Sequence, residues 1–281
     1  MRLITNAYPG MISGTTRPIA LITGGSSGLG YAFATWLGTR GYDIYILARD
    51  KSRLRISVEK LSEIQVHATG IACDVTSPVQ LQEAAEKISN LSAKVDFLIL
   101  NAGSVSTKLL TDYADPEELK SDLENDLWGT IQSAYYFVPL LREGSRVLLT
   151  SSGFGLMGAA GYSTYCAAKA GIIYFGESLR RELLHRKIQV YVTCPGDMDT
   201  PQFAAEIAGQ PGWMKAQSSP RKLMSAEKAA DKILRNCKGR MRFLIIPSSD
   251  VKMLLIASRL LPRKWRDRLL DNMFPRPKSG K

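Results

Sequence analysis

The chain has 281 residues, of which 45% are hydrophobic and 22% charged, and these ordinary globular proportions exclude large-scale disorder. Only two histidines occur, His67 and His185, which argues against a zinc site and against a serine-histidine hydrolase triad. The formal net charge of +11 is compatible with an anionic membrane surface or a nucleic acid and does not choose between them.

Residues 1–17 lack the apolar core of a secretion signal, so we expect them to form a flexible N-terminal arm. Four scattered cysteines without a C-x-x-C pair indicate a reduced cytoplasmic setting and no metal site. No DNA- or RNA-binding module with interleaved aromatic residues is recognisable, so no nucleic-acid partner is expected.

Residues 18–247 alternate short apolar runs with amphipathic stretches, the pattern of repeated βαβ units. We predict seven strands, at 19–23, 43–47, 65–72, 95–100, 145–150, 188–193 and 242–246. Because βαβ crossovers are nearly always right-handed, they indicate a single α/β domain with a doubly wound, Rossmann-like parallel sheet. The ligand of such a sheet lies beyond the carboxyl ends of the strands.

A glycine-rich loop follows the first strand and opens the first helix. Glycines at positions 24, 28 and 30 permit a tight turn that brings backbone N–H groups to a pyrophosphate. Because a predicted strand precedes this loop and a predicted helix follows it, a dinucleotide site is favoured over a plain turn. The loop residues we expect at the cofactor are Gly24, Ser26, Ser27, Gly28, Leu29 and Gly30.

Arg49 follows the second strand, where enzymes that use NAD usually carry an acid for the ribose 2′-hydroxyl. A guanidinium there favours the 2′-phosphate, so we predict NADP(H) as the cofactor. The alternative is a solvated arginine at a strand end, and the adjacent Asp50 leaves that alternative open.

Six motifs resemble, in content and order, those of the short-chain dehydrogenase/reductase family over about residues 19–200. They are Thr23 to Gly30, Cys73-Asp74-Val75, Asn101-Ala102-Gly103, Ser151-Ser152, Tyr165 with Lys169, and Pro195-Gly196 with Thr200. The resemblance implies an NADP-dependent oxidoreductase that is a homodimer or homotetramer. It also places Asp74, Val75, Asn101, Ala102, Gly103, Pro195, Gly196, Met198 and Thr200 along the cofactor.

Tyr165 and Lys169 are four residues apart and therefore share one face of a helix. A free phenol has a pKa near ~10, and a neighbouring ammonium would lower that pKa. We therefore expect Tyr165 to protonate the alkoxide that forms when NADPH reduces a carbonyl. The resemblance implies that Ser152 holds the same oxygen and that Lys169 also binds the nicotinamide ribose.

Position 126 departs from the family pattern, because Asp126 stands where an asparagine supports a water-mediated proton path. Asn125 is adjacent, but successive helical residues point about 100 degrees apart, so one does not replace the other. We keep Asp126 as a candidate catalytic residue that orients water. The missing asparagine also leaves a second interpretation open, a non-catalytic NADP-sensing regulatory protein.

Residues 197–225 contain Phe203, Ile207, Trp213 and Met214, which predict a substrate lid with an apolar inner face. The run from Pro195 to Phe203 is similar to that of 3-ketodihydrosphingosine reductases, although these usually carry two prolines where this chain has Pro195-Gly196. This similarity implies a long-chain 3-keto amino alcohol as the substrate. Another apolar carbonyl compound, such as a 3-keto lipid or a steroid, is the alternative.

Residues 248–281 form a basic amphipathic tail, in which residues 251–281 hold nine Lys or Arg against two Asp. The apolar residues recur at helical spacing, but the segment is too charged to predict a membrane span. One interpretation is a helix lying on an anionic membrane, so that the protein is cytoplasmic and peripheral at a membrane surface. The other is a helix that docks on the domain or on a partner subunit.

Overall fold

The computed structural model describes residues 17–91, 94–216, 223–239 and 243–273. Seven parallel strands form one sheet in the order β3-β2-β1-β4-β5-β6-β9, which confirms the predicted doubly wound fold. Their bounds are β1 Ile19–Thr23, β2 Asp43–Ala48, β3 Ala68–Ala72, β4 Val95–Leu100, β5 Leu141–Thr150, β6 Gln189–Thr193 and β9 Leu244–Ile245. Two short strands, β7 Met198–Asp199 and β8 Met224–Ser225, pair separately.

Helices cover both faces of the sheet. They are α1 Gly28–Gly38, α2 Lys51–Glu63, α3 Pro78–Leu91, α4 Pro116–Asp122, α5 Gly129–Phe137, α6 Ser163–Glu182, α7 Pro201–Gly209, α8 Gly212–Lys215, α9 Ala226–Asn236, α10 Ser249–Leu260 and α11 Arg263–Met273. Helices α1, α2 and α9 pack on one face, and α3, α5 and α6 on the other, each around a buried apolar cluster. The central strands are therefore apolar on both sides, as in parallel sheets generally.

Three of the first six predicted strands begin at other residues, of which the sixth differs only slightly, beginning at Gln189 instead of position 188. The third strand begins at Ala68 instead of position 65, because Gln65 has φ +60° and this left-handed residue ends the turn after α2. The fifth strand begins earlier than predicted, at Leu141, and the register against β4 shifts between Val95 and Phe97. A bulge of this kind cannot be read from alternation of apolar residues alone.

The last predicted strand, 242–246, is reduced to Leu244–Ile245, and position 242 lies outside the described residues. The described residues also exclude parts of three predicted segments, namely 1–16 of the arm, 217–222 of the lid and 274–281 of the tail.

A π-helical turn, Leu123–Trp128, joins α4 to α5. A π turn inserts one extra residue into a helix and rotates the side chains of that turn. Two acidic side chains are buried here, Asp122 at the end of α4 with 1% exposure and Asp126 in the π turn with 0%.

The carboxyl ends of β1 and β4 are held together by one threonine. Thr23 Oγ1 accepts hydrogen bonds from the backbone N–H groups of Asn101 at 2.9 Å and Ala102 at 3.1 Å. Behind this junction α1 packs tightly on the loop, since a Cβ at Gly30 would lie 2.1 Å from the Gly24 carbonyl oxygen. The edge of the sheet that carries the motifs is therefore fixed by backbone contacts.

Helix α10 lies beside this edge. A Cβ at Gly153 or Gly196 would come within 3.3 or 2.9 Å of Val251 on α10, so α10 touches the loops that follow β5 and β6. Among the described residues, no helix is long and apolar enough to cross a membrane.

We expect Gly30→Ala to lower the free energy of unfolding by about 1–3 kcal/mol, because the added methyl meets backbone rather than a movable side chain. Gly158→Ala is the matched control, since nothing lies within 4 Å of its Cβ position, and its effect should stay within about 0.5 kcal/mol. Urea unfolding measures both. Equal effects in the two variants would contradict the tight packing at Gly30.

Candidate active site

A cleft of about 640 Å³ runs along the carboxyl edge of the sheet. Most of the predicted site residues line it, namely Gly24, Ser26, Ser27, Gly28, Leu29, Arg49, Val75, Asn101, Ala102, Gly103, Ser152, Tyr165, Lys169, Pro195, Gly196, Met198 and Thr200. Gly30, Asp74 and Asp126 are not among the lining residues of the cleft, and their predicted roles remain predictions. Each of them instead contacts a residue that does line it.

The glycine loop has the geometry expected of an anion cradle. Gly24 and Gly28 have backbone φ angles of +66° and +51°, which residues that carry a side chain rarely adopt. Ser27 is the N-cap residue of α1 but makes no side-chain cap bond, so the first N–H groups of α1 remain directed at the cleft. These residues fit the pyrophosphate of a dinucleotide, whereas Gly30 serves the packing of α1.

Arg49 lies at the far end of the cleft and is 62% exposed in its side chain. Its neighbour Asp50 caps α2 by accepting from the N–H groups of Ser52 and Arg53, and it pairs with the Arg53 guanidinium at 3.3 Å. The Asp50 carboxylate is therefore occupied and does not compete with Arg49 for a ligand. Arg53 also lines the cleft, which gives this end two guanidinium groups.

Asp74 forms its own turn instead of bordering the cleft. Its Oδ1 accepts from the backbone N–H of Thr76 at 2.9 Å and from the Thr76 hydroxyl at 2.8 Å. Its Oδ2 lies 3.9 Å from Arg49 Nη1. Val75 and Cys73 line this end of the cleft, while Asp74 reaches it through its contact with Arg49.

Ser152, Tyr165 and Lys169 meet in the middle of the cleft. Ser152 follows β5 and hydrogen-bonds the Tyr165 hydroxyl. Lys169 Nζ lies 5.4 Å from the centre of the Tyr165 ring, one helical turn along α6. The structure thus brings these three side chains together in one cleft.

The predicted lowering of the Tyr165 pKa by Lys169 is wrong for this structure. Burial raises the pKa of Tyr165 well above its ordinary value, and the Asp126 carboxylate raises it further, while the hydrogen bond from Ser152 lowers it. The Lys169 ammonium is drawn to Asp126 Oδ1 at 3.1 Å instead of to the phenol oxygen. The negative charge of Asp126 therefore opposes the field of the ammonium at Tyr165.

Asp126 lies under the cleft at the π turn. Its Oδ1 also accepts from the backbone N–H of Ser104 at 2.9 Å, next to the predicted cofactor residue Gly103. Burial raises the pKa of Asp126 to about 6, against the lowering effect of Lys169 and Ser104. Asn125 lines the cleft, but its amide donates to the Ser121 carbonyl oxygen at 2.9 Å and does not contact Lys169.

The predicted lid is only partly apolar inside. Phe203 lines the cleft and Met214 is buried, but Ile207 is 36% exposed and does not line the cleft, because that side of α7 faces solvent. Trp213 packs against an aromatic cluster around Tyr162. The apolar inner face is therefore built from fewer residues than predicted.

A polar network holds α7 to the start of α6. The Tyr162 hydroxyl donates to Glu206 Oε1 at 2.6 Å and accepts from Gln210 Nε2 at 3.0 Å. The Tyr162 ring stacks on Phe154 with centroids 4.6 Å apart. Since Glu206 and Phe154 both line the cleft, this network shapes the end that receives the substrate.

Sequence reasoning missed Arg53, Tyr162 and Glu206. Arg53 lies in the first turn of α2, four residues after Arg49, which directly follows β2. Tyr162 and Glu206 are 44 residues apart, and no local pattern signals their hydrogen bond.

Two comparisons with known proteins agree with this geometry. The family model described as short chain dehydrogenase matches residues 18–210. The 3-oxoacyl-acyl-carrier-protein reductase FabG of Escherichia coli is 31% identical over 217 residues, which are 76% of this chain and 87% of that protein. The 11-beta-hydroxysteroid dehydrogenase-like 2 of Arabidopsis thaliana is 28% identical over 92% of this chain and 82% of that protein.

Solved structures share the fold. A short chain dehydrogenase/reductase from Burkholderia phymatum in complex with NAD gives a TM-score of 0.76 at 19% identity, over 96% of this chain and 100% of that one. A short chain dehydrogenase from Burkholderia cenocepacia in complex with NADP gives 0.70 at 24% identity, over 82% and 95%. With the family model and the Escherichia coli relative, these findings show that the chain belongs to the short chain dehydrogenase family and is an oxidoreductase of the kind that uses a nicotinamide cofactor.

Proposed function

We propose that this oxidoreductase uses NADPH to reduce a ketone to a secondary alcohol on a hydrophobic, long-chain lipid such as 3-ketodihydrosphingosine. The observation that carries the proposal is the pair of hydrogen-bonded hydroxyl groups, Ser152 and Tyr165, at the middle of a cleft that begins at a glycine cradle. Two hydroxyls side by side can both donate to one carbonyl oxygen as it gains negative charge.

The residues of the chain divide the work along the cleft. The reduced nicotinamide supplies the hydride. Ser152 holds the substrate oxygen, and Tyr165 gives that oxygen its proton. Lys169 binds the nicotinamide ribose, and Asp126, which touches Lys169 instead of the cleft, acts as a positioning residue.

The choice of NADP rests on the charge at the adenosine end. Arg49 and Arg53 line it, and the adjacent acid Asp50 is committed to capping α2. The other nearby acid, Asp74, accepts from Thr76 and lies 3.9 Å from Arg49. A guanidinium pair of this kind suits a 2′-phosphate better than a hydroxyl. The loop residues from Gly24 to Leu29 then hold the pyrophosphate.

A lipid substrate is supported by the side chains around the hydroxyl pair. Val105, Phe154, Met198 and Phe203 line this end of the cleft. The relatives are a 3-oxoacyl-acyl-carrier-protein reductase and a hydroxysteroid dehydrogenase-like protein, names that refer to carbonyl or alcohol compounds with an apolar part. An apolar ketone or secondary alcohol is the shared chemistry, and the sphingoid ketone is the specific member that we propose.

Two surfaces of the enzyme suit partners. Helices α10 and α11 expose an apolar stripe, Met253, Ile256, Leu260, Leu261 and Trp265, flanked by Lys252, Arg259, Arg263 and Lys264. We propose that this stripe rests on an anionic membrane as part of a cytoplasmic, peripheral protein, because its basic flanks complement lipid headgroups. Separately, the exposed Trp128, Tyr135 and Tyr174 of the α5–α6 face support a homodimer or homotetramer.

We expect Tyr165→Phe to lower ketone-dependent NADPH oxidation by about 10²–10⁴-fold, because the ring remains and only the proton donor is lost. NADPH binding, followed by its fluorescence, should persist. Tyr174→Phe, on the exposed side of the same helix, is the control and should keep full activity.

The substrate panel for that assay should pair a long-chain 3-keto amine with a 3-ketoacyl thioester and a steroid ketone. A kcat/KM highest for the long-chain 3-keto amine supports the sphingoid assignment. Failure of the wild-type enzyme to oxidise NADPH with any of the three would contradict the proposed function.

We expect Arg49→Ala to weaken NADPH binding by about 10–100-fold, the effect of losing charge-assisted hydrogen bonds to a phosphate. NADH binding should change little, because NADH has no 2′-phosphate. Arg55→Ala, on α2 but away from the cleft, is the matched control. Equal losses for both cofactors in Arg49→Ala would refute the assignment of NADP.

We expect the triple variant Met253→Ser, Ile256→Ser, Leu260→Ser to lose co-sedimentation with vesicles that contain phosphatidylserine. The triple variant Ile64→Ser, Val79→Ser, Leu91→Ser removes similarly exposed apolar side chains elsewhere and should bind as the wild type does. Absence of wild-type binding, or a change in oligomeric state caused by the α10 variant, would overturn the membrane proposal.

A further inference from the structure

The buried pair of Asp126 and Lys169 is an unusual feature of this site. Both side chains are almost fully buried, at 0% and 5% exposure, with Nζ 3.1 Å from Oδ1. Asp126 Oδ2 is buried and has no hydrogen-bond partner. A carboxylate held this way in low dielectric has one strong attraction left, the ammonium beside it.

That arrangement changes what Lys169 can do for Tyr165. A cation beside a phenol stabilises the phenolate, but a carboxylate at the same cation cancels most of its field. Lys169 Nζ lies over the Tyr165 ring, 5.4 Å from its centre, while it touches Asp126 directly. A neutral amide at position 126 would leave the full positive charge next to the phenol.

We propose that Asp126 is a positioning residue that claims the Lys169 ammonium. Tyr165, which burial already favours as a phenol, then remains a protonated donor to a higher pH than it would beside an unopposed ammonium. This inference rests on the proposed ketone reduction. In that reaction the Tyr165 O–H bond breaks, the proton joins the substrate oxygen, and the nicotinamide hydride joins the carbon. The phenolate then regains a proton from water.

The other charged groups around Tyr165 reinforce this effect but are secondary to Asp126. These groups are Asp122 at the end of α4 and Glu206 on α7. Each raises the Tyr165 pKa less than Asp126 does. Asp122 Oδ2 accepts from the Thr164 hydroxyl at 2.7 Å, and Asp122 has no contact with Lys169. Ser152 is the neighbour that lowers the Tyr165 pKa.

The pH dependence of kcat/KM for the ketone, at saturating NADPH, tests the proposal. Loss of activity at alkaline pH reports ionisation of the proton donor. In Asp126→Asn, which keeps the size of the side chain and the acceptor for Ser104, we expect this alkaline limb to move to lower pH by about one unit or more, a tenfold change in proton affinity.

Asp122→Asn is the matched control, because it makes the same chemical change at a buried acid one helical turn away. Its limb should move by much less. A limb in Asp126→Asn that coincides with that of the wild type, or an equal shift in both variants, would overturn the proposal. A purely structural role of Asp126 would lower the Tm without moving the limb.

A second measurement separates this inference from the proposed function. Tyrosinate absorbance is titrated in the wild type and in Asp126→Asn, and each curve is subtracted from that of the same protein carrying Tyr165→Phe. The difference reports Tyr165 ionisation without any substrate or cofactor. A lower Tyr165 titration in Asp126→Asn supports the inference even if no ketone is reduced, and an unchanged titration rejects it even if ketones are reduced.

Discussion

A single hydrogen bond sets the position of the proton donor. In it, the Ser151 hydroxyl donates to the Lys169 carbonyl oxygen at 2.7 Å. It joins the end of β5 to the middle of α6, and both groups are buried. The fit leaves no space for a side chain at Gly155, whose Cβ would lie 2.5 Å from Ser151 Oγ. Because α6 is locked to the strand here, Tyr165 one turn earlier faces Ser152, and the two hydroxyls meet.

The rest of the site follows from strand ends that are fixed in the same way. Thr23 holds the loops after β1 and β4 together, and the tight packing of Gly30 holds α1 against the glycine turn. Preorganised donors of this kind need no rearrangement when charge develops on a substrate. The Asp126–Lys169 pair adds electrostatic control from beneath, where both side chains are buried.

Much of this arrangement is predictable from sequence because it is local or repeated. Apolar runs gave the strands, and positions directly after those runs gave Arg49, Asn101 and Ser152. What escaped prediction depends on partners far along the chain. Asp126 is 43 residues from Lys169, and no spacing rule indicates that the ammonium would turn to it instead of to Tyr165. The orientation of α7, which leaves Ile207 facing solvent, likewise depends on a distant contact, the hydrogen bond from the Tyr162 hydroxyl to Glu206.

The central claim is that one substrate oxygen is held between two hydroxyl groups while its carbon accepts hydride. A crystal structure of the protein with NADP and the alcohol product tests it most directly. We predict the product oxygen within roughly 2.6–3.2 Å of both Tyr165 and Ser152 hydroxyls, with the carbinol carbon facing the nicotinamide. A product oxygen bound instead by Glu206 and Tyr162, with Tyr165 out of reach, would contradict the account.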